Sequence, residues 1–189
     1  MLRHPAPTAV ALLWHGRGAR EAHVLHRLAT ALHGDGHTVV TPNWDASAAD
    51  RGALASSAAP RPAAVVGLAA DVREHSPLDG AVPVDRVRPG TDAPPIFLVH
   101  GADDAVVPAA GAEEFARACL TAGVPCALTL VESDHAGVVG TEYDPTAGLC
   151  VPSDAPGATR GLAAALRASA PGPSVDLPEL SPVGARVTA

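Results

Sequence analysis

Lysine is absent: all thirteen basic residues are arginine. Such a chain has no P-loop lysine for the phosphates of a nucleotide and no side-chain amine for a Schiff base. Aromatic residues make up only 3% of the 189 positions, so alanine, valine and leucine must fill any core. Cysteine is scarce too. Cys119, Cys126 and Cys150 cannot all pair with one another, and none stands at C-x-x-C spacing. Small buried thiols in a reducing cytoplasm are therefore expected. Thirteen cations face twenty carboxylates, a formal net charge of −7. That balance argues against nucleic acid as a partner, because neutralising phosphates needs clustered positive charge. No apolar run approaches the ~20 residues of a membrane span. The first, over 9–14, breaks into a His-Gly turn instead of a cleavage site, and reads as a strand and not as a signal peptide.

What is present fits one globular domain. Hydrophobic residues are 47% of the chain, and this length suffices to bury about 70% of the unfolded surface. Residues 8–14 form a continuous apolar run, expected to be a strand buried on both faces. Val24, Leu25, Leu28, Ala29 and Leu32 recur at helical spacing within 21–33, and Gly34 and Gly36 stop that helix. A second strand over 38–41 completes a β-α-β pattern, the signature of a parallel sheet. Residues 45–62 are rich in Ala and Ser and have room for one short helix, and 63–69 is a third strand. Residues 71–92 read as a polar loop, followed by a strand over 96–99, a helix over 112–122 ended by Gly123, a strand over 127–131 and a last helix over 160–169. From Pro171 onward Pro, Gly and Ser recur without periodicity, so 1–170 is expected to be the domain and 171–189 a loosely attached or disordered tail.

Two strand ends carry the chemistry. The 96–99 strand runs into HGADDAVVP, and the 127–131 strand ends in Ser133, Asp134 and His135. An acid after one strand and a histidine after the next can converge at the carboxyl edge of a parallel sheet, where α/β proteins bind ligands. A carboxylate beside an imidazole fixes its tautomer and stabilises its charged form, which suits general-base catalysis. Asp104 stands in the D-x-x-V-P stretch, with Asp103 beside it as the weaker alternative. The plain alternatives are a turn or helix-cap aspartate and a surface-loop histidine, one of nine histidines in the chain. His23, His26, His33 and His37 have spacings that bring two onto one helical face, but no acid or cysteine cluster accompanies them, and no metal is expected.

These stretches together resemble the α/β-hydrolase family, in its small-esterase and dienelactone-hydrolase-like branch, whose catalytic order along the chain is nucleophile, acid, histidine. The resemblance covers about residues 8–45 and 63–169. It implies a three-layer α/β/α sandwich with a mostly parallel sheet. It also implies hydrolysis of a carboxylic ester or related acyl bond, with Asp104 as the acid and His135 as the base. The WHGRG turn would line the oxyanion hole, the N–H of Arg17 donating and Gly16 shaping the turn. The partner implied is a small-molecule acyl or ester substrate, with no cofactor and no membrane, in the cytoplasm.

The nucleophile is missing. G-x-S-x-G occurs nowhere, and 46–62 is too short for the central strand, elbow and helix that the family places there. Ser47, Ser56 and Ser57 lie in Ala-rich sequence without elbow glycines. The nearest match, Gly67-Leu68-Ala69-Ala70-Asp71, has Ala69 at the attacking position, and no cysteine stands on an elbow: Cys119 falls on a helix, Cys126 beside a strand start and Cys150 in a loop beyond the histidine. The fold is thus expected to be shortened by loss of the central strand, with the 63–69 strand filling the gap beside the 8–14 strand. The alternative to a hydrolase is a catalytically dead relative, serving as a binding or scaffold protein or arising from an internally deleted gene.

Overall fold

A computed structural model describes residues 10–13, 15, 21–42, 63–75 and 80–170. The expectations for Gly16, Arg17, Ser47, Ser56, Ser57 and the 171–189 tail lie outside the described residues. Those described build an α/β arrangement with three α-helices and three small sheets.

The first unit runs from β1 (Val10–Leu12) through a 3₁₀ turn (Ala22–Leu25) and α1 (His26–Gly34) to β2 (Thr38–Val40). β1 and β2 are parallel, with Val10 opposite Thr38 and Leu12 opposite Val40. Leu25, Leu28 and Leu32 give the helical segment its buried face. Past its end, Gly36 takes φ +89° and lets the chain turn back, while the N–H of His37 donates to the carbonyl of Leu32 at 3.0 Å.

The second unit holds β3 (Val65–Leu68), β4 (Ile96–Gly101), α2 (Ala110–Ala122) and β5 (Cys126–Val131). These strands form a parallel sheet in the order β3-β4-β5. Strand periodicity sends Leu98 into a cluster with Phe115, Cys119 and Val124, on the side of α2. Val99 points the other way, to Ala164 of α3 (Pro156–Ser169) and to Val138. An unbroken apolar strand with helices on both faces is what a buried parallel strand requires. Small residues bring α3 close: a Cβ on Gly161 would strike the carbonyl of Gly137 and come within 2.7 Å of the Val138 Cα.

Four expectations change. The 63–69 strand does not sit beside the 8–14 strand: among the described residues β1 pairs with β2 and β3 with β4, in separate sheets. Side-chain packing joins the two sheets instead, through Leu28, Leu32 and Ala165, which receive Ala11, Val39 and Leu68 from the strands. The described part of the 8–14 run, residues 10–13, is also not buried on both faces. Ala11 packs inward, but Val10 and Leu12 are 69% and 58% exposed: among the described residues, α1 and α3 cover only the other face. Within the expected polar loop, Val72 is a buried core residue on the α2 side, the half-buried Val84 and Val87 pack against that core, and Pro83–Arg86 is a 3₁₀ turn. Finally, Cys150 is not in a loop: it lies on β7 (Leu149–Pro152), antiparallel to β6 (Thr141–Asp144). That hairpin turns at Asp144, whose Oδ1 accepts the N–H groups of Thr146 and Ala147, and at Gly148, with φ +68°. Arg27 ties it to α1, donating to the carbonyls of Gly140 and Ser153 and pairing with Asp154 at 2.8 Å.

Candidate active site

The carboxyl ends of β4 and β5 lie side by side, with Gly101 opposite Val131. Pairing continues past the strands: the N–H of Ala102 donates to the Val131 carbonyl at 2.7 Å, and that of Asp103 to the Ser133 carbonyl at 3.1 Å. Gly101 makes this approach possible. A Cβ there would overlap the carbonyl oxygen of Ser133 and lie 2.7 Å from that of Asp134. The loop beyond β5 is braced from behind, since Asp134 Oδ1 accepts the N–H of Gly137 at 2.7 Å and Arg160 donates to the Glu132 carbonyl at 3.0 Å.

This zipped edge brings Asp104 and His135 together. His135 Nδ1 donates to Asp104 Oδ2 at 2.8 Å, within the range that general-base chemistry needs. The other carboxylate oxygen, Oδ1, accepts the N–H groups of Val106 and Val107 at 2.9 and 2.8 Å. The Asp104 side chain is fully buried while that of His135 is 40% exposed. The carboxylate is thus shielded and saturated with donors, and the ring it orients faces outward. With Nδ1 committed, Nε2 is the nitrogen that can accept a proton from a reactant. Asp103 is exposed and makes a main-chain contact only, so the choice between the two aspartates falls on Asp104.

One neighbour of the pair carries little signal in the sequence. His100, the last but one residue of β4, is buried, with Nε2 2.8 Å from the Val107 carbonyl and 3.3 Å from Asp104 Oδ2. Its only sequence signal is its position four residues before Asp104 in H-G-x-x-D.

No attacker stands beside the pair among the described residues. Ser133 is the nearest serine in sequence, but its hydroxyl is sealed from solvent and, alone among the described buried side-chain polar atoms, lacks a hydrogen-bond partner. A hydroxyl without accessible surface cannot meet a substrate carbonyl. Ser133→Ala is accordingly expected to leave any hydrolysis unchanged and to be neutral or stabilising by up to about 1 kcal/mol, since a buried, unsatisfied hydroxyl costs free energy; urea unfolding measures this. Ser153 is occupied by Glu142 at 2.6 Å, and Ser169 donates to the Ala165 carbonyl on α3. Ala69 has the left-handed backbone of an elbow residue, φ 47°, yet its methyl packs in the cluster with Val99, Val138 and Ala164.

The cysteines are no better placed. Burial, aided by the adjacent Cys119, pushes the Cys126 thiol up to about 12. Burial also raises Cys119 and Cys150 above 9.0, although hydrogen bonds from Cys126 and Thr141 respectively oppose it. At pH 8 the thiolate fraction of Cys126 is about a thousandfold below that of a thiol of ordinary value, and it is the thiolate that reacts. Cys126 should therefore resist a disulfide reagent in the native protein and react promptly in urea; fast native reaction would contradict its burial. Because the folded chain holds this proton more tightly, the stability it confers is intact below about pH 9 and is lost as pH rises from there through about 12.

The histidines of the first unit do not converge. His37 is buried with its Nδ1 3.1 Å from the Leu32 carbonyl, whereas His23, His26 and His33 are exposed. Among the described residues no group of three or more His, Cys, Asp or Glu is placed to hold a metal ion, and no helix is long and apolar enough to cross a membrane. A cleft of about 270 Å³ lies against the acid loop, lined by Val106, Val107 and Pro108 on one side and by Asp71, Val72 and Arg73 on the other. No family model, curated protein or solved structure matches the chain.

Proposed function

We propose that this chain is an α/β-hydrolase-like domain of the small esterase type, a shortened α/β/α sandwich in which Asp104 and His135 form a general-base pair for ester or related acyl-bond hydrolysis. The observation that carries the reading is the 2.8 Å bond from His135 Nδ1 to a fully buried carboxylate, made across two adjacent parallel strand ends. Without a recognisable serine or cysteine attacker, the chemistry open to this pair is activation of water. Its proton passes to His135 Nε2 as its oxygen attacks the acyl carbon, and the imidazolium then returns a proton to the leaving alcohol. Gly16 and Arg17, by resemblance, supply the turn that would receive the oxyanion.

The separation of β1–β2 from β3–β4–β5 supports the idea of a lost central strand. It equally favours the second reading, a non-catalytic descendant that keeps the pair and binds small acyl compounds without turning them over. Hydrolysis of a short activated ester separates the two. A slow rate that disappears in His135→Ala supports the first, and no rate above buffer in the unaltered chain supports the second.

A further inference from the structure

We infer that His100 is a positioning residue, whose Nε2–H locks the loop carrying Asp104 and thereby holds Oδ2 where it orients His135. The inference rests on the general-base reading of Asp104 and His135 given above. Its basis is the geometry around one ring nitrogen. His100 is 1% exposed, and its Nε2 lies 2.8 Å from the carbonyl oxygen of Val107. A carbonyl only accepts, so Nε2 must carry a proton, which fixes the tautomer of His100. The same N–H lies 3.3 Å from Asp104 Oδ2, the oxygen that receives His135.

Val107 is consequently gripped at both ends of its peptide units. Its N–H goes to Asp104 Oδ1 at 2.8 Å and its carbonyl to His100. The loop from Asp104 to Val107 is closed on itself through the acid and pinned to the strand through the histidine. A histidine that merely filled space would satisfy itself on the carbonyl and leave the carboxylate alone. Here the N–H is directed at the carbonyl, and its nitrogen also packs 3.3 Å from Oδ2, so the acid oxygen facing His135 has two imidazoles around it. Loss of that donor frees the Val107 carbonyl and one side of Oδ2 together, and the carboxylate gains room to rotate away from His135.

Nuclear magnetic resonance of the full chain with ¹⁵N-labelled histidine tests this. In the unaltered protein, His100 should be the Nε2–H tautomer; the Nδ1–H tautomer would overturn the inference with no variant needed. The Nδ1–H proton of His135, identified by its loss in His135→Ala, should show the downfield resonance of a proton shared with a carboxylate. His100→Gln, whose amide reaches the position of Nε2, should keep that resonance. His100→Asn, whose amide is too short, and His100→Leu should lose it to solvent exchange while circular dichroism stays native. A resonance unmoved in folded His100→Asn sinks the inference and spares the pair. If it is missing from the unaltered protein, the general-base reading falls and the inference falls with it.

Discussion

The unaltered chain should hydrolyse p-nitrophenyl acetate slowly, and His135→Ala should abolish most of that rate. Stripping the attacker from a triad hydrolase costs on the order of 10⁶ in turnover, while binding and oxyanion stabilisation still leave some 10³–10⁴ over water. A positioned general base contributes about 10²–10⁴, and under the proposed function that contribution rests on His135. Its Nδ1 is held at 2.8 Å by a buried carboxylate, which leaves Nε2 as the basic nitrogen. Asp104→Asn should lose nearly as much as His135→Ala. An amide cannot stabilise the imidazolium, and it can present its NH₂ to Nδ1 and so reverse the tautomer. By contrast, Ser47→Ala, Ser56→Ala and Ser57→Ala should leave the rate unchanged, and a fluorophosphonate probe should leave the chain unlabelled. Fast turnover abolished by one of those three changes would reveal an attacker in the Ala-rich segment and would replace water activation with an acyl-enzyme route.

The half of the chain that bears the pair is the half most legible in sequence, for physical reasons. Residues 96–99 are a continuous apolar run in a strand covered on both sides, which announces itself by composition alone, whereas 126–131 alternates half-buried and exposed residues over its first four positions and is legible from that period of two. Gly123, at φ +73°, marks the end of the intervening helix because few other residues tolerate that turn. Asp104 could be favoured over Asp103 only by its spacing from Val107 and Pro108; burial then separates them, one sealed and the other in solvent. What sequence does not display is pairing between distant segments. Nothing local in 8–14 or 63–69 states which strand lies beside which, and the expected closed sheet is absent among the described residues. Burial of the first strand fails for the same reason, since Val10 and Leu12 are as apolar as any core residue but are not covered by another layer among the described residues. His100 was illegible because its role depends on a loop folding back over the strand end, which brings the Val107 carbonyl to a ring seven residues earlier. The hairpin has a local signal, since Asp144, Pro145 and Gly148 form a turn signature between two short strands.

Gly101→Ala should be the most damaging single-methyl change near the site, affecting fold and function together. The added Cβ would overlap the Ser133 carbonyl oxygen and sit 2.7 Å from that of Asp134 and 3.0 Å from its carbonyl carbon. These are main-chain atoms, so no rotamer relieves the clash and the two strand ends must part. Overpacking of this kind costs about 1–3 kcal/mol. Two hydrogen bonds at the same edge, from Ala102 to Val131 and from Asp103 to Ser133, are strained with it, at roughly 1 kcal/mol each. A loss near 3 kcal/mol is a large part of the 5–15 kcal/mol that holds a domain together, and for a domain of this length it lowers the melting temperature by about 6–12 °C. The same displacement pulls His135 off Asp104, because its loop begins at the atoms being pushed. A shift of about 1 Å at a catalytic group costs some 10²-fold in rate. Gly148→Ala is the matched control. Gly148 has positive φ, +68°, but open space around it, so its substitution should cost about 1 kcal/mol of backbone strain and leave hydrolysis untouched. Thermal unfolding and ester hydrolysis measured on both variants decide the matter. Equal melting temperatures for the two would mean that Gly101 is not the residue that lets the acid and histidine loops meet.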